Sequence, residues 1–180
     1  RRLYLRYGPQ GWWPGEGPFE TIIGAILTQN TSWKNAERAL TNLKSAEVMA
    51  PHHLRNLSQG DLADLIRPSG YFNNKAKKLK AFAQYLGYHY HDNLDAFLAQ
   101  ELEPLRQELL SIYGIGEETA DDIILYAARL PSFVIDAYTK RILLRLGIAP
   151  DQHRYAAFQA LFQQNLHRDT ALFKEYHALL

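Results

Sequence analysis

The stretch that decides the fold is Ile112–Arg141, IYGIGEETADDIILYAARLPSFVIDAYTKR. Gly114 and Gly116 bracket a single isoleucine, and the residues directly after them favour a helix. Apolar residues on both sides of the glycines recur at helical spacing, which predicts two helices packed face to face across a tight hairpin. Asp136 then ends an apolar segment and precedes another helical pattern. We therefore predict a helix-hairpin-helix followed by an aspartate at the start of a further helix.

The predicted hairpin has the properties of a phosphate-binding site. Glycine permits a left-handed backbone and close approach by a ligand, and the first N–H groups of a helix have no partner within that helix. Such a hairpin grips the backbone of a nucleic acid without reading its bases. An isolated Gly-x-Gly is more often an ordinary helix end and turn. The interpretation therefore depends on Asp136, which lies 20 positions beyond Gly116.

The rest of the chain predicts an all-α protein. Apolar residues recur at i, i+3, i+4, i+7 and i+8 from Phe19 to Leu27, the spacing of one helix face. The same period continues from Ala76 to Leu86, after Asn73 and Asn74, which are good helix caps. Further helices are predicted at about 102–111, 117–130, 137–146, 154–165 and from 169 onwards, and no segment sustains the alternation of a strand.

Two breaks in the helical pattern predict two lobes. Glycine and proline are concentrated at 8–18, and helical spacing stops at 129–132. We therefore predict a helical barrel domain at 19–132, which carries the hairpin. A second helical lobe, formed by 1–18 plus 133–180, carries Asp136, and an active-site cleft lies between the two.

Composition limits the partners and cofactors. Lysine and arginine total 20 against 19 acidic residues, so attraction to an anionic partner must come from local clusters of charge. No cysteine is present, so an iron–sulfur cluster is possible only with a cysteine-bearing segment outside these residues. His89 and His91 lack a third ligand nearby, and no metal site is predicted. No apolar run approaches the length of a membrane span, and we expect a cytoplasmic protein without membrane contact.

The hairpin and the aspartate resemble the helix-hairpin-helix DNA glycosylases of the endonuclease III superfamily. That family shares a Gly-hydrophobic-Gly hairpin, Thr-Ala in the next helix, and an apolar segment ending in the catalytic aspartate. In this sequence the pattern comprises Gly114, Ile115, Gly116, Thr119, Ala120 and Asp136. The resemblance implies that Asp136 is catalytic and that Gly114, Ile115, Gly116 and Thr119 bind DNA phosphate.

Two upstream segments are also similar to DNA-contacting segments of this family. The first, ILTQNT, resembles the segment that carries a duplex-invading glutamine, and the second, SGYFNNKAKKL, resembles a DNA-contacting turn. The resemblance implies that Gln29 and Tyr71 intercalate into the duplex. It also implies that Lys75 and Lys77 contact phosphates.

Three tryptophans flank one predicted helix. Trp12 and Trp13 lie in a Gly/Pro loop, and Trp33 follows ILTQNT. Indole rings stack on bases and attract cationic ones. The arrangement is similar to bacterial 3-methyladenine DNA glycosylases of the endonuclease III type, which implies a base pocket of Trp12, Trp13, Pro14 and Trp33, with Trp12 and Trp33 as the stacking pair. Alternatively, the tryptophans only pack between the lobes.

The resemblance also indicates the reaction. Bifunctional family members carry a lysine two residues after the second glycine, whereas this sequence has Glu118, and a carboxylate cannot form a Schiff base. We therefore predict a monofunctional DNA N-glycosylase of base excision repair that flips out and excises alkylated purines such as 3-methyladenine, leaving an abasic site. The implied partner is damaged double-stranded DNA, bound by a monomer. Two alternatives stay open: a glycosylase for oxidised or mismatched pyrimidines, and a non-catalytic helix-hairpin-helix DNA-binding module.

Overall fold

A computed structural model describes residues 2–180, and within this range the secondary structure is helical with no strand, which confirms the all-α prediction. In chain order the α-helices are α1 (Arg2–Tyr7), α2 (Pro18–Thr28), α3 (Trp33–Ser45), α4 (Pro51–Asn56), α5 (Gln59–Leu65), α6 (Phe72–Tyr90), α7 (Leu94–Leu98), α8 (Leu102–Ser111), α9 (Glu117–Asp122), α10 (Ala137–Leu146), α11 (Tyr155–Gln163) and α12 (Thr170–Leu179). A 3₁₀ helix at Arg67–Ser69 follows α5, and α9 continues into a π-helical turn, Ile123–Ala127.

Helix α2 lies at the centre of the first hydrophobic core. The predicted apolar stripe, which includes Ile22, Ile23 and Ile26, is fully buried. Gly24 and Ala25, which lie outside that stripe, are buried as well. Helices α3 and α6, α9 and the π-helical turn all pack against α2. A helix enclosed in this way is a core element, and it carries its C-terminal end to the hairpin between α8 and α9.

A second hydrophobic core forms around the segment that leads to α10. Phe133, Val134 and Ile135 are fully buried there, together with residues of the π-helical turn, α10, α11 and α12. Phe133 stacks on Phe162 of α11 with ring centroids 4.0 Å apart. Trp13 packs against both cores and so lies between them. The two cores account for a two-lobed molecule, while the exact domain boundaries stay a prediction.

A buried polar network joins the two cores. Asp121 of α9 is fully buried, and its carboxylate accepts hydrogen bonds from Arg106 Nε at 2.9 Å and Ser132 Oγ at 2.6 Å. Gln159 of α11 donates to the same carboxylate at 2.9 Å and to the carbonyl oxygen of Phe133 at 2.8 Å. The buried charge is therefore both paired and hydrogen-bonded, as a stable buried carboxylate requires. The network holds the segment before Asp136 against α9.

The start of α6 differs from the sequence prediction. The helix begins at Phe72, and its cap is Tyr71, whose backbone is left-handed with φ 46°. Asn73 and Asn74 lie in the first turn and do not cap it. The 3₁₀ helix and Gly70 turn the chain sharply here, so the geometry of that turn sets the helix start in place of a side-chain cap.

Candidate active site

A cavity of about 500 Å³ lies where the two cores meet. One part of its lining is aromatic and consists of Trp12, Trp13, Trp33 and Tyr138. The other part is polar, and the residues used below are Gln29, Glu118, Thr119, Asp122, Asp136 and His177. The cavity therefore combines flat apolar faces with several carboxyl groups. Both are needed to hold a base and to stabilise positive charge.

Asp136 lies at the N-terminus of α10 and lines this cavity. One carboxylate oxygen, Oδ1, accepts a hydrogen bond from the backbone N–H of Thr139 at 2.7 Å, so the side chain caps the helix. The other oxygen accepts no hydrogen bond from residues 2–180. The residue is half-buried, so the carboxylate is held in one orientation while one oxygen remains available to a substrate. Asp136 thus both caps α10 and lines the cavity.

The three tryptophans contact one another but do not form a parallel pair. Trp12 and Trp33 have ring centroids 5.4 Å apart and planes at 73°, an edge-to-face contact. Trp13 meets Trp33 in the same way, at 5.3 Å and 78°. A base cannot lie between two rings in edge-to-face contact. The predicted Trp12–Trp33 sandwich is therefore not present in this structure, and it requires one ring to turn.

Trp13 is the most firmly held of the three indoles. It packs against both cores, and its centroid lies 5.1 Å from that of Tyr126. The Tyr126 hydroxyl is hydrogen-bonded to Nδ1 of His177 at 2.8 Å. Burial lowers the pKa of His177 and raises the pKa of Tyr126, so both are uncharged near neutral pH. This pair fixes one wall of the cavity without adding charge.

Two carboxyl groups of α9 also line the cavity. Glu118 lies at the mouth with part of its side chain exposed, and partial desolvation of its carboxyl group, followed by the charge of Asp136, raises its pKa. Asp122 lies one turn further into the cavity, and its Oδ1 atom is buried without a hydrogen-bond partner. Burial, followed by the charges of Glu118 and Asp136, raises the pKa of Asp122 well above its ordinary value of 3.8. The cavity wall is therefore acidic.

The hairpin has the predicted form, but its two glycines differ. Gly114 has φ 87°, and a Cβ there would lie 2.6 Å from Cδ of Lys78. Gly116 has φ −99° and ψ −178°, which is extended backbone that any residue adopts, and a Cβ there would point into open space. Gly114 is therefore required by the folded chain itself. Gly116 matters only if a partner approaches the hairpin.

The start of α9 presents free backbone donors. Within residues 2–180, no acceptor is bonded to the backbone N–H groups of Gly116, Glu117, Glu118 and Thr119. A hollow of about 350 Å³ faces them, and its lining includes Lys78 and Lys140. Free N–H groups beside two ammonium groups favour an anion, although Glu117 and Glu118 oppose it. This is the arrangement predicted for a phosphate contact.

Gln29 is bound to the hairpin. Its Nε2 donates to the carbonyl oxygen of Gly114 at 3.0 Å and to Oγ1 of Thr119 at 2.9 Å. Its Oε1 accepts a hydrogen bond from the Lys78 ammonium group. The predicted intercalating residue is therefore held between the hairpin and the cavity. Its role in the duplex stays a prediction.

The second predicted DNA-contacting turn divides into exposed and buried residues. Tyr71 is 72% exposed at the tip of the turn, and Lys77 is also exposed. Lys75 is 2% exposed, and its ammonium group donates to the carbonyl oxygens of Leu27 at 2.8 Å and Ser69 at 2.7 Å. The prediction that Lys75 contacts phosphate is wrong, because the ammonium group is enclosed and already occupied.

Residues 23–168 match the sequence profile of the HhH-GPD superfamily of base excision DNA repair proteins. The chain belongs to this superfamily. It is thus a base excision repair DNA glycosylase of the HhH-GPD family, and DNA is its partner.

Similar proteins agree with this assignment. A protein of Methanocaldococcus jannaschii, provisionally named a DNA repair glycosylase, is 46% identical over 175 residues, covering 97% of this glycosylase and 80% of the relative. Endonuclease III of Sulfolobus acidocaldarius is 29% identical over 163 residues, covering 90% and 70%. Among solved structures, Helicobacter pylori 3-methyladenine DNA glycosylase bound to 1,N6-ethenoadenine matches with a TM-score of 0.81 and 28% identity, covering 99% and 89%. A trapped endonuclease III–DNA covalent intermediate matches with a TM-score of 0.82 and 18% identity, covering 99% and 79%, and supports the fold.

The structure adds residues to the glycosylase site that sequence reasoning missed. Asp122 follows Glu118 by four positions, so helical spacing alone could have predicted that both lie on the same face of α9. Lys78 lies in the segment SGYFNNKAKKL but was given no role there, and nothing local in the sequence links His177 to the cavity. Pro14 is exposed and lies outside the cavity lining, so its prediction as a pocket residue is wrong. The loop turns its tryptophans inward and its proline outward.

Two further findings concern what the described part of the glycosylase lacks. None of the helices within residues 2–180 is both long and apolar enough to cross a membrane. In the same range, histidine, aspartate and glutamate side chains form no group of three or more that could hold a metal ion.

Proposed function

We propose that this glycosylase is monofunctional and removes alkylated purines from duplex DNA. The observation that carries the proposal is the cavity itself, in which Asp136 offers a free carboxylate oxygen beside three indoles. The cavity lining contains no lysine within residues 2–180. An aromatic, acidic cavity without an amine nucleophile favours a positively charged base and attack by water.

The substrate class follows from the cavity walls. An alkylated purine such as 3-methyladenine carries positive charge in the nucleoside, and indole faces attract cations. Trp13 is held by Tyr126 and both cores, whereas Trp12 lies in the Gly/Pro loop and contacts only the second core. We therefore expect Trp12 to turn so that the flipped base stacks against an indole face. The similarity to the H. pylori 3-methyladenine glycosylase supports this substrate class.

Asp136 supplies the charge that the reaction needs. Breaking the N-glycosidic bond develops positive charge on the sugar, and a nearby carboxylate stabilises that charge and orients the attacking water. The hydrogen bond from the Thr139 N–H holds Oδ1, which leaves the second oxygen for this role. The cationic base leaves as a neutral molecule with the electron pair of the glycosidic bond, water adds to the sugar carbon, and the added water loses a proton to solvent. The product is an abasic site.

Strand cleavage by a lysine is not part of this proposal. In the family resemblance the attacking lysine corresponds to Glu118, whose carboxyl group lies at the cavity mouth. A carboxylate cannot form the Schiff base on which that cleavage depends. We assign binding of DNA to the backbone N–H donors of the hairpin and to the side chains of Lys77 and Lys78. Gln29 and Tyr71 fill the space that the flipped nucleotide leaves.

Base release from alkylated duplex DNA tests the proposal. Asp136→Asn should lower the release of 3-methyladenine at least about 100-fold. Asparagine is as good a helix cap as aspartate, so the variant should fold. Asp169→Asn is the matched control, because Asp169 caps α12 by the same 2.7 Å bond to a backbone N–H but lies outside the cavity. Undiminished release by Asp136→Asn would refute the proposal.

Three measurements distinguish the alternatives. In the base-release assay, a clear preference for thymine glycol, or for thymine opposite guanine, would favour a pyrimidine-specific glycosylase. A protein–DNA adduct trapped by borohydride would contradict attack by water. Binding to undamaged duplex without release of any base would favour the non-catalytic module.

A further inference from the structure

Asp122 carries a buried carboxyl oxygen for which residues 2–180 supply no hydrogen-bond partner. It lies on the wall of the cavity that holds the tryptophans and Asp136, and its Oδ1 atom is buried without a hydrogen bond. Buried polar atoms are nearly always hydrogen-bonded, and leaving one unpaired is costly. An unpaired oxygen on the wall of a substrate cavity therefore indicates a contact that the substrate completes.

The groups around Asp122 are acidic or uncharged. Glu118 and Asp121 lie on the same helix, and Asp136 faces it from the start of α10. Tyr126 of the π-helical turn and His177 of α12 share the cavity region, and burial keeps both uncharged near neutral pH. Of the cations, Lys140 acts on Glu118 at the mouth, and Lys174 of α12 lies with its Nζ 5.5 Å from the centroid of the Tyr126 ring. Burial and these like charges together raise the pKa of Asp122 and so favour its protonated form in the empty cavity.

We propose that Asp122 selects positively charged bases: its carboxyl group ionises when a cationic alkylated purine enters the cavity, and the resulting carboxylate pairs with that base. The O–H bond of the acid breaks, the proton passes to solvent, and no covalent bond to the base forms. A neutral base brings no charge to stabilise the carboxylate, so Asp122 then stays protonated. This inference rests on the proposed function and adds the residue that sets its substrate class.

The proposed pairing makes selectivity depend on pH in a defined direction. Binding of a cationic base releases one proton from Asp122, whereas binding of a neutral base releases none. Raising the pH favours the first process over the second. The preference for a cationic over a neutral base should therefore increase with pH. Asp136 and Glu118 take part with both kinds of base and affect the ratio less.

The experiment compares release of 3-methyladenine, which is cationic in DNA, with release of neutral 1,N6-ethenoadenine from matched duplexes. For Asp122→Asn the ratio of the two kcat/KM values should fall about 10- to 100-fold, the range of a hydrogen bond to a charged group. Asp151→Asn is the charge-matched control, because Asp151 is exposed in a loop outside the cavity. An unchanged ratio, or an equal loss on both substrates, would overturn the proposal.

The pH profile of the same ratio is the second readout. The wild-type ratio should rise with pH, because the pKa of Asp122 is raised, while the Asp122→Asn ratio should stay flat. Glu118 and His177 also line the cavity and carry titratable groups, so a rise that persists in Asp122→Asn would belong to another cavity group and contradict the assignment. If Asp122→Asn fails to fold, Glu118→Gln and His177→Gln decide the matter, because both variants must retain the wild-type rise. A wild type that releases neither base would instead refute the proposed function.

Discussion

Alanine substitutions at the two hairpin glycines should separate folding from DNA binding. At Gly114 the left-handed backbone costs a non-glycine residue about 1–2 kcal/mol. The added Cβ would also meet the side chain of Lys78, with Cδ at 2.6 Å, and such overpacking costs about 1–3 kcal/mol. Gly114→Ala should therefore lower the free energy of unfolding by about 2–5 kcal/mol.

Gly116→Ala is the matched variant with the opposite expectation. Its backbone is extended and its Cβ would meet nothing within 4 Å, so stability should change by less than about 0.5 kcal/mol. That open space is where a phosphate must approach the N–H groups at the start of α9. Loss of one charged hydrogen bond there should weaken DNA binding about tenfold or more.

Urea unfolding and fluorescence anisotropy with a labelled duplex measure the two effects. The salt dependence of binding adds a check, because each lost phosphate contact reduces the slope of log K against log salt by about 0.9. Wild-type affinity and slope in Gly116→Ala would show that the hairpin does not hold a phosphate. Wild-type stability in Gly114→Ala would refute the packing argument.

Two further predictions concern the turn before α6. Burial lowers the pKa of Lys75 from 10.5 to about 8, so the cost of its buried charge is fully present below pH 8 and is relieved as the pH rises toward 10.5. Wild type should therefore gain stability over this range relative to Lys75→Met in urea unfolding, and parallel pH profiles would contradict this. Tyr71→Ala should lower lesion excision without changing thermal stability, whereas Tyr88→Ala, at an equally exposed position on α6, should change neither. Equal activities of the two tyrosine variants would remove Tyr71 from the site.

Local patterns predicted most of the helices and the hairpin correctly. The helices at 102–111 and 137–146 were predicted to the residue, because apolar periodicity and cap residues act over a few neighbouring positions. The left-handed backbone at Gly114 was equally accessible, since glycine is the residue that tolerates it. The family resemblance then identified Asp136, which lines the cavity.

Errors arose where tertiary contacts decide the outcome. Lys75 was predicted to contact phosphate, but the fold places the carbonyl oxygens of Leu27 and Ser69 around its ammonium group. Whether Pro14 points inward depends on how its loop crosses the cores, which spacing does not encode. The unpaired oxygen of Asp122 and the contact of His177 with Tyr126 exist only once α9, α10 and α12 have packed together.

The buried network around Asp121 fixes the distance between the hairpin and the segment that carries Asp136. Helix α9 carries the proposed phosphate-binding donors at its first turn, and its Asp121 also holds Ser132, just upstream of Asp136, by a hydrogen bond. In the proposed complex, the distance between the phosphate bound at the start of α9 and the sugar beside Asp136 is thereby fixed. We therefore expect the enzyme to select a nucleotide first by its distance from the bound phosphate and only then by the chemistry of its base. Substituting Gln159, which lies outside the cavity lining, should make the position of the nucleotide relative to the bound phosphate less precise, while every DNA-facing side chain remains in place.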